Sequence, residues 1–245
     1  MSDSIKKLLR DIGIYKQVRW LYLRGSALAW RFYYFVTKKQ DGIINDYLGS
    51  NEVRKIHLGC GNNILNGWLN TDLIPTSKRI RLNVSKTYPF DDGTFDYAYS
   101  EHVIEHLPYT VGRAMISEAF RVLKPGGVIR ISTPDLKFLI ALYEDDKKDI
   151  HEKYIKWNAE NFIGDEAPHD GISVFNNYVR DWGHVYIYDE ESLSRMFKEI
   201  GFTDIKAVKI NESEHDHLQN LEHETRHPEG FLQLETMTIE GTKPA

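Results

Sequence analysis

KIHLGCGNN, residues 55–63, is the stretch on which the fold turns. Its first half is rich in strand formers, and it breaks into a loop with two glycines one residue apart, Gly59 and Gly61. Lacking a Cβ, both can take φ > 0 and let a ligand lie against the backbone, as a nucleotide-like cofactor does at the carboxyl end of a sheet strand. WLNTD, residues 68–72, then reads as a second strand ending in a carboxylate, Asp72, placed to accept hydrogen bonds from the two hydroxyls of a ribose. The spacing disfavours a dinucleotide site. Ile64 stands where the third glycine of G-x-G-x-x-G belongs, and Asp72 follows Gly61 by 11 residues rather than about 20.

Working outward, residues 79–84 (RIRLNV) read as a third strand and 95–100 (FDYAYS) as a fourth, followed by a short helix through Leu107 that Pro108 ends. Thr110 is expected to cap the next helix, with Val111, Met115, Ala119, Val122 and Leu123 on one face. Pro125-Gly126-Gly127 should stop it and lead into a strand over 128–132. Asp189 caps a further helix carrying Leu193, Met196, Phe197 and Ile200 at helical spacing, with Gly201 at its end. Residues 205–210 and 231–239 read as closing strands, joined by a polar, His-rich link. The gap before Trp68 leaves little room for a first crossover helix, so a turn around Asn66-Gly67 is expected there. This alternation implies parallel crossover units and a doubly wound α/β sheet.

In order and spacing, the glycine loop, Asp72, PFDDGTFDYAYSEHVIEHL (89–107) and EAFRVLKPGGVIRISTPD (118–135) resemble the class I S-adenosylmethionine-dependent methyltransferases over roughly residues 53–135. The resemblance implies a Rossmann-like methyltransferase fold: a mostly parallel seven-stranded sheet with an antiparallel last strand, formed by residues 51–245. An acceptor-binding insertion at about 135–188 and an amino-terminal helical arm at 1–50 complete the expected organisation. It also implies S-adenosylmethionine as cofactor. Leu58, Gly59, Cys60 and Gly61 would form its loop, Asp72 would hold its ribose, and Asn83, where relatives often carry Asp, would face its adenine. Ser100 and Glu101 would line the end of the fourth strand, and Asn62, Asn63 or the arm would hold the amino-acid end. RDWGHVYIYDEESLSRMFKEIGF (180–202) and the closing LETMTIEGTKP are similar to bacterial methyltransferases that accompany cell-surface polysaccharide synthesis. That second resemblance implies O-methylation of a sugar, free or lipid-linked. A member of the fold that has lost catalysis and serves as a cofactor-binding module is the alternative, motivated by Asn83 and the short first crossover.

A neutral hydroxyl acceptor benefits from a base, and His102, Asp135, His169 and His184 lie where a sheet end or the insertion can face the cofactor. His102-Val-Ile-Glu105-His106 also reads as H-x-x-E-H, a zinc hydrolase pattern, but Pro108 directly after it and the methyltransferase-like flanks argue for no metal there. His215, His217, His223 and His227 form a second His cluster, interspersed with charged residues and expected to be solvated.

At 245 residues and 41% hydrophobic content the chain can form one large core. Its single cysteine, Cys60, excludes an internal disulfide and fits a reducing, cytoplasmic setting; without a base nearby in sequence it reads as a small residue beneath the cofactor. The net charge of −5 divides into +7 over residues 1–39 and −12 over the rest. An acidic catalytic domain disfavours nucleic acid as partner. No signal peptide is evident, and Arg24 and Arg31 interrupt the apolar run at 20–36, so it does not span a membrane. On a helix Arg10, Gln17, Arg24, Arg31 and Lys38 would form one polar stripe, leaving an aromatic face either to cap the catalytic domain or to lie on an anionic membrane at its inner surface.

Overall fold

The computed structural model describes residues 39–164, 167–224 and 227–245, together with Val18, Leu21, Gly25, Leu28 and Ala29. The polar stripe expected on the amino-terminal arm lies outside the described residues. Helix α1 (Lys39–Ser50) runs unbroken through Asp41-Gly42 and inserts Ile44 into the main core. Gln40 exchanges hydrogen bonds with the main chain of Arg81, and the Tyr47 hydroxyl donates to the Lys55 carbonyl at 2.8 Å.

Seven strands follow in the order β3-β2-β1-β4-β5-β7-β6 across one sheet: β1 (Lys55–His57), β2 (Leu69–Asp72), β3 (Ile80–Arg81), β4 (Phe95–Glu101), β5 (Leu123–Pro134), β6 (Thr203–Val208) and β7 (Thr236–Thr242). β1 to β5 pair in parallel, while β7 lies antiparallel between β5 and β6. The expected seven-stranded, mostly parallel sheet is therefore present. Strand order reverses between β1 and β4, the place where such sheets bind ligands at their carboxyl ends. The central strands are buried on both faces, as parallel strands are, but β4 and β5 bury polar side chains too, among them Arg130.

Local boundaries depart from the sequence reading in several places. β3 shrinks to two residues because Asn83 turns the chain, its side-chain oxygen accepting from Ser85 N at 3.0 Å. Helix α2 (Tyr109–Val122) is entered from Pro108, not capped by Thr110, and Leu123 already pairs with Phe95 in β5. The Pro125-Gly126-Gly127 turn thus becomes an irregularity inside a strand. Between β1 and β2 there are only turns, as the short spacing required.

The insertion folds into α3 (Leu136–Ala141), α4 (Asp149–Asn158) with a π-helical turn over Ala159–Ile163, and α5 (Gly171–Arg180). It has an apolar core of its own, built on Phe138, Leu139, Leu142, Tyr154, Ile155, Val174 and Tyr178 and joined by Phe231. Helix α6 (Glu190–Ile200) is capped by Asp189, which accepts from Ser192 N at 2.8 Å, and ends at Gly201 with φ 116. Phe231, expected to open the last strand, instead begins a short helix, α7 (Phe231–Glu235), that leans on the insertion core before β7 starts. The link from β6 to β7 folds over the sheet, where Leu218 and Leu221 pack with Trp68, Tyr99 and Val128.

Candidate active site

The glycine loop leaves β1 at the switch point. Leu58 is fully buried, and Cys60 N donates to Thr71 O at 2.9 Å. Gly59 has φ 68, and a Cβ there would stand 2.5 Å from Val103 Cγ2, so this glycine lets the loop approach the turn after β4. Gly61, at φ 52, faces open space; its N–H donates to Asp72 Oδ2 at 3.0 Å. Asp72 Oδ1 accepts from Ile74 N, so each carboxylate oxygen holds one backbone N–H and keeps a lone pair for a ligand hydroxyl. Cys60 is buried, and burial together with the Asp72 charge pushes its thiol up to about 12.

Two residues expected at the cofactor rim brace the loop. Ser100 donates its hydroxyl to the Leu58 carbonyl at 2.9 Å. Glu101, buried, accepts from Asn63 Nδ2 at 3.1 Å and from His223 N at 3.0 Å, tying the glycine loop to the β6–β7 link. Asn63, weighed only for the cofactor's amino-acid end, also donates to Leu221 O at 3.0 Å.

β4 ends at Glu101, and His102, with φ 50, reverses the chain into a 3-10 turn over Ile104–His106. Glu105 is fully buried on that turn. Its Oε1 stands 3.2 Å from His102 Nδ1, and Oε2 accepts from Thr133 Oγ1 at 3.0 Å. Burial disfavours the charged form of His102, but the Glu105 carboxylate outweighs it and raises the pKa; burial likewise opposes charge on Glu105, and the two neighbouring imidazoles reverse that and lower it. His102 Nε2 lies 3.2 Å from Thr236 Oγ1.

These residues open onto a cavity of about 260 Å³. His102, Glu105, His106 and His184 form its polar wall. Tyr154, Trp157, Phe162, Tyr178 and Trp182 from the insertion give it aromatic faces, in edge contacts such as Phe162 with Trp182 at 5.0 Å. Glu235 on α7 closes the far side, bonded to the Tyr154 hydroxyl. Burial lowers the pKa of His184, so its ring stays neutral.

Of the candidate bases, His102 and His184 thus meet in one cavity, whereas Asp135 and His169 lie outside its lining. Asp135 caps α3 by accepting from Lys137 N, and His169 is exposed beside Gly164 O. His215 and His217 make edge contacts with Tyr97, the His223 N–H donates to Glu101, and His227 lines the cavity, so this second His cluster is dispersed. The helical H-x-x-E-H pair does not form either, because His102 precedes the turn and faces Glu105 and Thr236.

Residues 47–207 match the family described as methyltransferase domain. The chain belongs to that family. Among curated proteins it is similar to the sterol 24-C-methyltransferase erg6 of Schizosaccharomyces pombe, 49% identical over 43 residues covering 18% of this chain and 11% of that one. It is also similar to phosphoethanolamine N-methyltransferase 2 of Caenorhabditis elegans, 27% identical over 129 residues, 52% and 25% of the two chains. The chain spans about a quarter or less of the length of these relatives. A solved S-adenosylmethionine-dependent methyltransferase of Archaeoglobus fulgidus aligns over 94% of this chain and all of its own, at 15% identity and a TM-score of 0.47.

The loop of this methyltransferase-family chain fits S-adenosylmethionine. The cofactor has no pyrophosphate to cradle and needs a close approach to backbone plus a carboxylate for its ribose, and the open side of Gly61 and the spare lone pairs of Asp72 supply both. The sequence reading missed the aromatic wall, Glu235 and the brace through Asn63. The density of Tyr, Trp and Phe in residues 143–188 was the only signal for the first.

Proposed function

We propose that this chain transfers the methyl group of S-adenosylmethionine to a sugar hydroxyl in surface polysaccharide synthesis. The observation carrying this reading is the cavity at the carboxyl edge of β4, where aromatic faces that suit a sugar ring stand opposite an imidazole–carboxylate pair. The turn bearing that pair touches the glycine loop through Val103. S-adenosylmethionine supplies an electrophilic methyl on a sulfonium. The acceptor oxygen bonds to that carbon as the C–S bond breaks, the bonding pair stays on sulfur as a neutral thioether, and the hydroxyl proton passes to His102 Nε2. Glu105 steadies the imidazolium so formed, as a buried carboxylate does for a catalytic histidine. The aromatic wall positions the acceptor beside the methyl group.

Exposed Phe162, Trp182, Val185 and Tyr186 stand on the insertion side of the cavity, and residues 1–39 are basic and aromatic. Both support an acceptor carried on a lipid and approached from the cytoplasmic membrane surface. Among the described residues no helix is long and apolar enough to cross a membrane.

The test is transfer of labelled methyl to a panel of free and lipid-linked sugars. His102→Gln should lower turnover by about 10²–10⁴-fold and leave S-adenosylhomocysteine affinity unchanged. Transfer to no sugar overturns the reading. One observation favours a second reading: aromatic faces beside Glu105 and Glu235 also suit an ammonium group, and one relative is a phosphoethanolamine N-methyltransferase. Methylation of phosphoethanolamine in the same panel would decide for an amine acceptor.

A further inference from the structure

Glu105, His106 and His184 each offer a ligand atom within 4.8 Å of the other two, the one such group among the described residues. Hydrogen bonds on the far side of each ring fix which atoms these are. His106 Nδ1 faces the Gly183 carbonyl at 3.2 Å, and His184 Nδ1 faces the Tyr178 carbonyl at 2.7 Å. A carbonyl oxygen only accepts, so both Nδ1 atoms carry the hydrogen and both Nε2 atoms of the neutral rings present lone pairs. His106 Nε2 lies 3.9 Å from Glu105 Oε1. That oxygen is fully buried and faces His102 Nδ1 at 3.2 Å without a hydrogen bond of good geometry, so it keeps a lone pair toward the two rings. Three acceptors therefore converge on one corner of the cavity wall.

The arrangement is braced from behind. Thr133 orients the Glu105 carboxylate, and the main-chain carbonyl of Glu105 accepts from both Val185 N at 2.8 Å and Tyr186 N at 3.1 Å, which pins the His184 segment against the turn. An imidazole whose second nitrogen donates to a backbone carbonyl, beside a carboxylate held by a hydroxyl, is how proteins orient metal ligands.

We propose that Glu105, His106 and His184 bind one divalent first-row transition metal ion. Two imidazole nitrogens and one carboxylate oxygen suit Mn²⁺, Fe²⁺, Co²⁺ or Zn²⁺ over Mg²⁺ and Ca²⁺, which prefer all-oxygen ligands. Ligands at about 2.1 Å from a metal stand roughly 3–3.5 Å apart, so small rotations of the two rings close the triangle. Three protein ligands would leave coordination positions open, and all three residues line the cavity. There the ion seats the acceptor oxygen and makes its proton easier to lose. That role rests on the hydroxyl-acceptor reading above; the metal site itself does not.

The test is calorimetric titration of EDTA-stripped full-length protein with MnCl₂, ZnCl₂ and MgCl₂ separately, with no acceptor present, and the electronic absorption of CoCl₂-loaded protein. The expected result is one Mn²⁺ or Zn²⁺ per chain, far weaker Mg²⁺ binding, and a cobalt spectrum with imidazole ligands. His106→Ala and His184→Gln should each weaken binding on the order of 100-fold. His217→Ala, a substitution of an exposed histidine on the β6–β7 link, should leave it unchanged. Thermal melting of each variant, at the wild-type midpoint, checks that loss of binding is not loss of fold. Binding no tighter in the wild type than in the His106→Ala, His184→Gln double variant overturns the proposal. Tight binding without methylation of any sugar would sink the acceptor reading and leave the metal site standing. Sugar methylation undiminished in excess EDTA would remove the ion from the reaction.

Discussion

At the scale of single residues, the glycine loop divides labour between two positions that look alike in sequence. Gly59 is required because Val103 fills the space a side chain would take, whereas Gly61 borders open space at a φ of 52 that favours glycine. Asp72 both fastens Gly61 and offers the spare lone pairs for a ribose. Asp72→Ala is therefore expected to weaken S-adenosylmethionine binding by about 1.5–3 kcal/mol, measured by calorimetry, as removal of a charged hydrogen-bonding group does. An unchanged dissociation constant would take Asp72 out of the site. Cys60 lies one residue away with its thiol pushed up to about 12. Its pKa is raised, so at pH 8 the folded protein holds roughly 10³-fold less thiolate there than a free cysteine would. Alkylation by iodoacetamide should be slow in the native state, quicken about tenfold per pH unit, and become fast once denaturant unfolds the chain. Equal rates in the two states would refute the burial argument.

At the scale of elements, strands and helices with strong local signals were legible in sequence, and those shaped by distant contacts were not. α6 shows the first case, because its cap, apolar stripe and closing glycine all lie within one segment. Asp189→Ala should cost about 1 kcal/mol in denaturant unfolding, the usual loss for an N-cap. The hydrogen bonds of Ser192 to Asp189 lower its pKa. Its contribution is thus complete above the unfolded-state pKa and lost as pH falls through the lower, folded value; the wild type and Asp189→Ala should converge in stability at strongly acidic pH. α7 shows the second case. Phe231 to Glu235 reads as strand from its apolar residues, yet Phe231 finds its partners in the insertion core, where a helix delivers it beside Tyr154. β5 likewise absorbs Pro125-Gly126-Gly127 because the sheet continues around it. The two glycines and the carboxylate, close in sequence, lie together at the carboxyl ends of β1 and β2, as their spacing suggested. The aromatic cavity is assembled from the turn, the insertion and α7, so only its ingredients were visible in sequence.

At the scale of the whole molecule, the sheet face left bare by the missing first crossover helix is covered by the β6–β7 link, and a buried charge network fastens the link down. Arg130, fully buried in the middle of β5, donates to Glu222 at 2.7 and 3.0 Å, to Glu240, and to the carbonyls of Glu212 and Lys209. Arg130→Met would strand two buried carboxylates, and a loss of about 3–5 kcal/mol in unfolding free energy is expected. The double change Arg130→Met, Glu222→Leu should recover part of it; no recovery would mean that packing, and not uncompensated charge, sets the cost. The same link also carries the bonds that steady the glycine loop: Asn63 reaches Leu221, 158 residues away, and Glu101 holds His223. The loop around residues 59–63 is therefore completed by a segment that follows it by 158 residues. Bringing such distant pieces together is slow. A nascent chain cannot finish its cofactor loop until β6 and the link beyond it have emerged, so binding competence during synthesis should arrive late and all at once.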